Sequence, residues 1–156
     1  IVLGGRDREE SVYRAALEAD PRTEFLAVQD GARPLVTPEL IDAVVTAAFR
    51  CNAAAPAVPV TDTVKRTEPS TGRVLETPDR AALFAVQTPQ VFQADLIKAA
   101  LTNAMRKHLA ITDDCSAVEQ LRVKPVVTQG SEENIKITTP IDIELAELIL
   151  RRRGKA

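Results

Sequence analysis

The sequence predicts an α/β domain on a mostly parallel sheet, with one β-hairpin projecting from its body. Three observations carry this. Short apolar runs alternate with longer stretches of helical period through most of the chain, the order that lays parallel strands between crossover helices. The clearest run, Phe25-Leu26-Ala27-Val28, is apolar at every position, as a strand covered on both faces requires. Glu68-Pro69-Ser70-Thr71-Gly72 separates two polar segments, 63–67 and 73–77, and its Pro and Gly are turn formers.

The elements follow in order. Ile1-Val2-Leu3 reads as the tail of a strand, ended by Gly4-Gly5. Residues 8–19 read as a helix: Val12, Ala15, Ala16 and Ala19 share a face, and Glu9 and Glu10 fall early, where the helix dipole favours anions. Asp20-Pro21 stops it. Strand 25–28 leads into a loop, 30–34. Thr37-Pro38-Glu39 starts a second helix, with Thr as cap and Pro in the first turn. It runs to Cys51 behind the stripe Leu40, Ile41, Val44, Val45 and Ala48. Ala57-Val58-Pro59-Val60 and residues 83–87 are strands, and Thr88-Pro89-Gln90 is a turn. Residues 95–107 are helical. Thr112 caps a short helix at 113–121, whose first turn suits Asp113 and Asp114. Strands at 125–128 and 135–137 precede a last helix opened by Thr139-Pro140, with Ile143, Leu145, Ala146, Leu148 and Ile149 as a broad apolar face. With no internal repeat, low-complexity tract or linker, one domain over 1–156 is expected, with an arm at 62–77.

Composition narrows the function classes. With 156 residues, 45% hydrophobic and 27% charged, the chain can bury a real core. A net charge of −2 gives no broad attraction to nucleic acid or membrane. The basic run Arg151-Arg152-Arg153-Gly154-Lys155 reads as a solvated helix end, where cations suit the dipole. At 3% aromatic and without Trp, the chain has few platforms for base stacking. Cys51 and Cys115 lack metal-ligand spacing and point to a reducing, cytoplasmic setting. A single His108 leaves little for triads or multi-His metal sites. No apolar stretch reaches the roughly 18 residues of a membrane span. Residue 1 is Ile within an apolar run, so the expectation is a chain lacking its front.

Three runs converge on phosphate chemistry: Asp30-Gly31-Ala32-Arg33-Pro34, Asp62-Thr63-Val64-Lys65-Arg66 and Asn134-Ile135-Lys136-Ile137-Thr138. Each lies where a strand ends or an extended segment turns, the place where α/β sheets bind nucleotides and phosphorylated metabolites. Asp30 can orient a metal-bound phosphate or a substrate hydroxyl, or accept bonds from its own turn. Arg33 can fork onto a phosphate or make a surface ion pair. Lys136 opposes Ile135 and Ile137 across its strand, so it is either a solvent lysine or a cation held at a cleft. Arg80 opens a helical turn beside Asp79. Thr63, Thr88 and Thr112 are hydroxyl donors at element boundaries, and each also reads as a cap or turn residue. Gly4-Gly5 with Arg8 and Ser11 can bring backbone close to a base or sugar, or simply turn the chain.

Taken in series, seven segments resemble the 2-C-methyl-D-erythritol 4-phosphate cytidylyltransferase family of the non-mevalonate isoprenoid pathway. They are Gly4-Gly5 with Arg8 and Ser11-Val12; Asp30 to Pro34; Pro59-Val60-Thr61-Asp62-Thr63-Val64-Lys65-Arg66; Asp79-Arg80; Gln87-Thr88-Pro89-Gln90; Ile111-Thr112-Asp113-Asp114 with Ser116-Ala117; and Asn134 to Thr138. The resemblance implies a Rossmann-like nucleotidyltransferase sheet whose β-arm forms a homodimer with shared active sites. It implies cytidylyl transfer from CTP, as its Mg²⁺ complex, to methylerythritol phosphate, with release of pyrophosphate. In the implied site Arg80, Lys136 and Asp30 are catalytic, and Arg33, Thr63, Thr88 and Thr112 hold the acceptor. Gly5, Arg8 and Ser11 lie near the cytidine, and Asp30 also contacts the metal region.

The sequence departs from the family pattern in one large respect. The glycine-rich loop with its Arg, and the Pro-Lys pair after it, have no counterpart here. Those parts supply donors and cations to the triphosphate. The chain as given is therefore expected to be inactive alone and to expose apolar sheet surface. Gly31 and Gln29 replace residues common in the family, with little consequence. Two other readings stay open: a relative acting on another polyol phosphate such as ribitol 5-phosphate, and a catalytically dead binding or dimerisation module.

Overall fold

The computed structural model describes residues 1–154. Lys155 of the basic run lies outside them. The elements run α1 (Arg8–Leu17), β1 (Phe25–Val28), α2 (Pro38–Cys51), β2 (Ala53–Pro59), β3 (Arg66–Thr67), β4 (Val74–Glu76), a 3₁₀ turn at Arg80–Ala82, β5 (Phe84–Val86), β6 (Gln90–Gln93), α3 (Ala94–Lys107), α4 (Asp114–Glu119), β7 (Val126–Gln129) and α5 (Pro140–Arg152).

Local chemistry sets the helix ends. Asp7 caps α1 through the N–H of Glu10, and Thr37 caps α2 through that of Leu40, with Pro38 beginning the helix. α2 ends on Asn52 at φ 66°, and α3 ends on His108 at φ 52°. Both are left-handed cap residues, so the single histidine is an exposed helix terminator. The short helix α4 is capped by Asp113 rather than Thr112, in a reciprocal box with Ser116. The carboxylate of Asp113 reaches the N–H of Ser116 at 2.9 Å, while Thr112 only donates its N–H to Ser116 Oγ.

The α/β class is as the sequence predicts, but the sheet is mixed. β1 pairs antiparallel with β6, and β2 pairs antiparallel with both β5 and β6; β2 with β7 is the parallel pair. These pairings make β1, β2 and β7 run the same way. β5 and β6 run against them, as two halves of one strand broken at Gln87-Thr88-Pro89, where the Thr88–Pro89 bond is cis. The reason is connectivity. The chain returns from β2 through the β3–β4 hairpin rather than through a crossover helix, so it arrives antiparallel. The segment read as a turn at Gln90 is thus the start of β6, whose two apolar residues, Val91 and Phe92, are flanked by glutamines. The two short runs read as strands, 1–3 and 135–137, pair with nothing in the sheet. Residues 135–137 instead lie along the loop after β1, held by the N–H of Ile137 on the carbonyl of Ala32 at 2.8 Å.

Strand alternation divides the core. Ala53, Ala55 and Phe92 face α1, α3 and α4, packing with Ile97, Ala100, Leu101, Ala117 and Val118. Ala54 and Val91 point the other way, onto Leu40, Val44 and Ala48 of α2. A smaller cluster, Leu35, Ala146 and Ile149, docks α5 onto the loop after β1. Full burial of a side chain such as Ile97 or Leu101 contributes about 1.5–3 kcal/mol. Gly130 lets the end of β7 close on β2: a Cβ there would lie 2.8 Å from the Ala57 carbonyl and from Gln87 Oε1. Apolar side chains remain exposed on β5 (Phe84, Val86), β7 (Val126, Val127) and α5 (Ile141, Ile143, Leu148). The β3–β4 hairpin is exposed along its length and turns on Gly72 at φ 69°.

Candidate active site

The shared direction of β1, β2 and β7 gathers their C-terminal ends at one edge, where the break in the β5–β6 strand opens the sheet. Four segments meet there. Asp30 follows β1. Gln87 and Thr88 form the break. The loop after β7 carries Asn134 and Lys136. Arg8 enters from the start of α1.

Asp30 is the hub. Its Oδ2 lies 2.9 Å from Lys136 Nζ and 3.8 Å from Arg33 Nε, and its Oδ1 lies 3.4 Å from Arg8 Nε. Its N–H donates to Thr88 Oγ1 at 3.0 Å, which fixes the loop against the strand break. Arg8 reaches further, to Asp114 Oδ2 at 2.7 Å. Arg33 Nη1 donates to the Asn134 carbonyl at 2.7 Å, while its buried Nε donates no hydrogen bond among the described residues. The Asn134 amide donates to the Thr88 carbonyl at 2.9 Å. Gln87 ties down the same loop, donating to the Ser131 carbonyl at 2.8 Å and accepting from the Ser131 N–H at 3.2 Å.

The charges respond to this packing. Burial pushes the Asp30 carboxyl up, but the hydrogen bond and charge of Lys136, with Arg8, outweigh it and hold it below the usual carboxylate range. Burial lowers Arg33, and Asp30 only partly offsets it. Burial also acts on Arg8, where Asp114 and Asp30 prevail and raise it. Asp114 goes the other way. Burial drives its pKa up against the opposition of Arg8, and the charges of Asp113 and Asp30 add to the rise.

A cavity of about 160 Å³ lies at this meeting point, lined among others by Arg8, Asp30, Arg33, Thr88, Thr112 and Lys136. Six of the ten residues singled out in the sequence therefore converge. The others stand elsewhere. Arg80 is exposed and donates to the Thr61 carbonyl at 2.6 Å, in a separate depression with Pro59, Asp79 and Phe84. Thr63 is exposed at the root of the hairpin. Gly5 donates its N–H to Ser11 Oγ at 2.9 Å, and Ser11 borders a groove of about 330 Å³ between α1 and β1. Arg8, expected near the cytidine, pairs with the carboxylates of Asp30 and Asp114.

Asp114, Gln87 and Gln90 were not singled out for chemistry. Gln90 donates to Asp113 Oδ2 at 2.8 Å and accepts from the Cys115 N–H at 2.9 Å, clamping α4 to the sheet. The signal for Asp114 was the doubled acid, since one aspartate suffices to cap a helix.

The cleft does not by itself chelate a metal. Among the described residues no three His, Cys, Asp or Glu side chains cluster as metal ligands. Asp113 is tied into the α4 cap by Ser116 and Gln90, so the lining carboxylate left to meet a cation is Asp30, itself paired with Lys136 and Arg8. A divalent cation held mostly by phosphates and water, with one carboxylate contact, fits that donor set.

Comparisons with known proteins identify the family and the fold. The family model described as "IspD: 2-C-methyl-D-erythritol 4-phosphate cytidylyltransferase" matches residues 1–152. The enzyme of that description from Caldanaerobacter subterraneus subsp. tengcongensis is 45% identical over 152 residues, covering 97% of this chain and 66% of the relative. The one from Pelotomaculum thermopropionicum is 48% identical over 153 residues, covering 98% and 64%. The chain thus spans just under two thirds of the length of the curated relatives it matches. The crystal structure of the Thermus thermophilus enzyme superposes with a TM-score of 0.85 at 38% identity, over 96% of this chain and 72% of that one. The 4-diphosphocytidyl-2C-methyl-D-erythritol synthase structure from Anaerococcus prevotii gives 0.89 at 33% identity, over 96% and 69%. The match takes in every segment that builds the cleft, from Arg8 to Lys136, on a Rossmann-like nucleotidyltransferase sheet, and on that ground the chain belongs to the 2-C-methyl-D-erythritol 4-phosphate cytidylyltransferase family.

Proposed function

We propose that the protein acts in cytidylyl transfer from CTP to 2-C-methyl-D-erythritol 4-phosphate, and that the cleft around Asp30 is the acceptor's half of the site. An oxygen of the acceptor phosphate attacks the α-phosphorus of CTP, and the bond to the β-phosphate breaks to release pyrophosphate. Little covalent chemistry falls to the protein in such a step; alignment and charge neutralisation carry it.

One observation carries the proposal: Lys136, Arg33 and Arg8 converge on Asp30 at the carboxyl edge of the sheet. Two anions must meet for the reaction to occur, and cations gathered by one carboxylate are the tools for it. Arg33 Nε, buried and making no hydrogen bond among the described residues, supplies a donor ready for an anion. Size favours the acceptor over the nucleotide. The 160 Å³ cavity is below the roughly 300–1,000 Å³ of pockets for drug-sized ligands, so it suits a small phosphorylated polyol. In this reading Thr88 and Thr112 bond its hydroxyls, and the cytidine lies on the Gly5 and Ser11 side. Asp30 would hold a Mg²⁺ bound with the triphosphate, which would lower the charge between the reacting phosphates.

Arg80 and Thr63 lie away from this cleft, near the root of the exposed hairpin. That position supports a homodimer in which the 62–77 arm, with Thr63 at its root and Arg80 just past its end, brings both toward the partner's cleft. The absence of any helix long and apolar enough to cross a membrane, among the described residues, is consistent with the proposed cytoplasmic setting.

The test is pyrophosphate release from CTP and methylerythritol phosphate, with ribitol 5-phosphate as competitor. It is run on the chain alone and on the chain with the remaining length supplied from the Thermus thermophilus relative. Turnover of methylerythritol phosphate in preference to ribitol 5-phosphate supports the proposal. An extended protein that binds neither substrate overturns it.

A further inference from the structure

Arg8 is the one cation of the cleft that answers to two carboxylates. Its Nη2 donates to Asp114 Oδ2 at 2.7 Å, while its Nε stands 3.4 Å from Asp30 Oδ1. Asp114 is completely buried and its other oxygen, Oδ1, has no hydrogen-bond partner among the described residues. It sits in the first turn of α4, which the Gln90 clamp and the Asp113–Ser116 box hold rigidly. The short contact is therefore to the immobile acid, and the long one is to the acid at the centre of the cleft.

We propose that Asp114 is a positioning residue for phosphate binding: by holding Arg8 from behind, it keeps the guanidinium from closing onto Asp30 and leaves it facing the anion. This rests on the cleft taking a phosphate, as proposed above. Charge-assisted bonds to a planar guanidinium are strong and directional, so the better-fixed acid wins the competition. With Asp114 neutral, Arg8 swings forward and forks onto Asp30. That displaces Lys136 from its 2.9 Å contact and removes a donor from the cavity. The proposal has a counterintuitive sign. Removing a negative charge beside a phosphate site strengthens anion binding by Coulomb's law alone. A positioning role predicts the reverse.

The experiment titrates inorganic phosphate into the 156-residue chain, following by NMR the backbone N–H resonances of Asp30 and Lys136, which every variant retains. The proteins are the wild type, Asp114→Asn, Arg8→Lys and the double variant. Asp114→Asn is expected to bind phosphate roughly tenfold more weakly, the scale of one charge-assisted hydrogen bond. Arg8→Lys keeps the charge but cannot bridge two acids, so it shows a similar loss, and the double variant loses no more than either. Phosphate binding by Asp114→Asn equal to or tighter than wild type overturns the proposal, as do additive losses in the double variant or a wild type that binds no phosphate. If Asp114→Asn does not fold, Arg8→Lys decides: wild-type affinity in that variant overturns the proposal. A wild type that binds phosphate in this Asp114-dependent way, while its extended form fails to turn over methylerythritol phosphate, would remove the functional reading and leave this inference standing.

Discussion

The backbone carbonyl of Asn134 accepts a 2.7 Å hydrogen bond from Arg33 Nη1, joining the loop after β7 to the loop after β1. The Asn134 side chain, 1% exposed, meanwhile holds the Thr88 carbonyl at 2.9 Å. One residue thus fixes three of the four segments that form the cleft, and it does so without lining the cavity.

Asn134→Ala should accordingly destabilise the fold. It leaves the Thr88 carbonyl without its side-chain donor, and such a loss costs about 1–3 kcal/mol. Urea unfolding should show a lower midpoint with an unchanged slope.

Gly130→Ala should destabilise by overpacking. Its Cβ would stand 2.8 Å from the Ala57 backbone, which cannot retreat because the Gly130 N–H bonds the same residue's carbonyl at 2.8 Å. Inserting a carbon into such a contact costs about 1–3 kcal/mol, measurable as a lowered Tm.

Asp30, partly buried, and Asp114, fully buried, should titrate on opposite sides of the ordinary aspartate value. Asp30 has its folded pKa depressed, so its contribution to stability is complete above the unfolded value of about 3.9 and is lost as pH falls through the folded one. Asp114 has its folded pKa raised, so its contribution is complete below about 3.9 and is lost as pH rises through the folded value. Unfolding midpoints from about pH 3 to 7 should therefore lose their most acidic decline in Asp30→Asn. In Asp114→Asn they should instead lose a decline lying above it.

Asp30, Arg33 and Lys136 were legible in the sequence because strand ends and their flanking cations are local signals. Their meeting was legible only through a resemblance, since Lys136 lies far along the chain from Asp30. Asp114 showed in the sequence only as the second of two acids at a helix start, and its pairing was not legible. Its partner Arg8 is 106 residues away, and a helix N-terminus already explained an acid there. β6 was missed because its apolar content is two residues, and strand direction was missed because it depends on how the hairpin returns the chain. The run at 135–137 has the composition of a strand, but its N–H groups find a loop carbonyl instead of a sheet edge.

The most direct test of the central claim is calorimetric titration of methylerythritol phosphate, and of the same polyol without its phosphate, into wild type and Lys136→Ala. Lys136 is half-exposed, so its removal should leave Tm nearly unchanged. The account predicts binding that requires the phosphate and weakens at least roughly tenfold in Lys136→Ala, the scale of one lost charge-assisted contact. Equal affinity of the two proteins, or equal affinity for the two polyols, would contradict it.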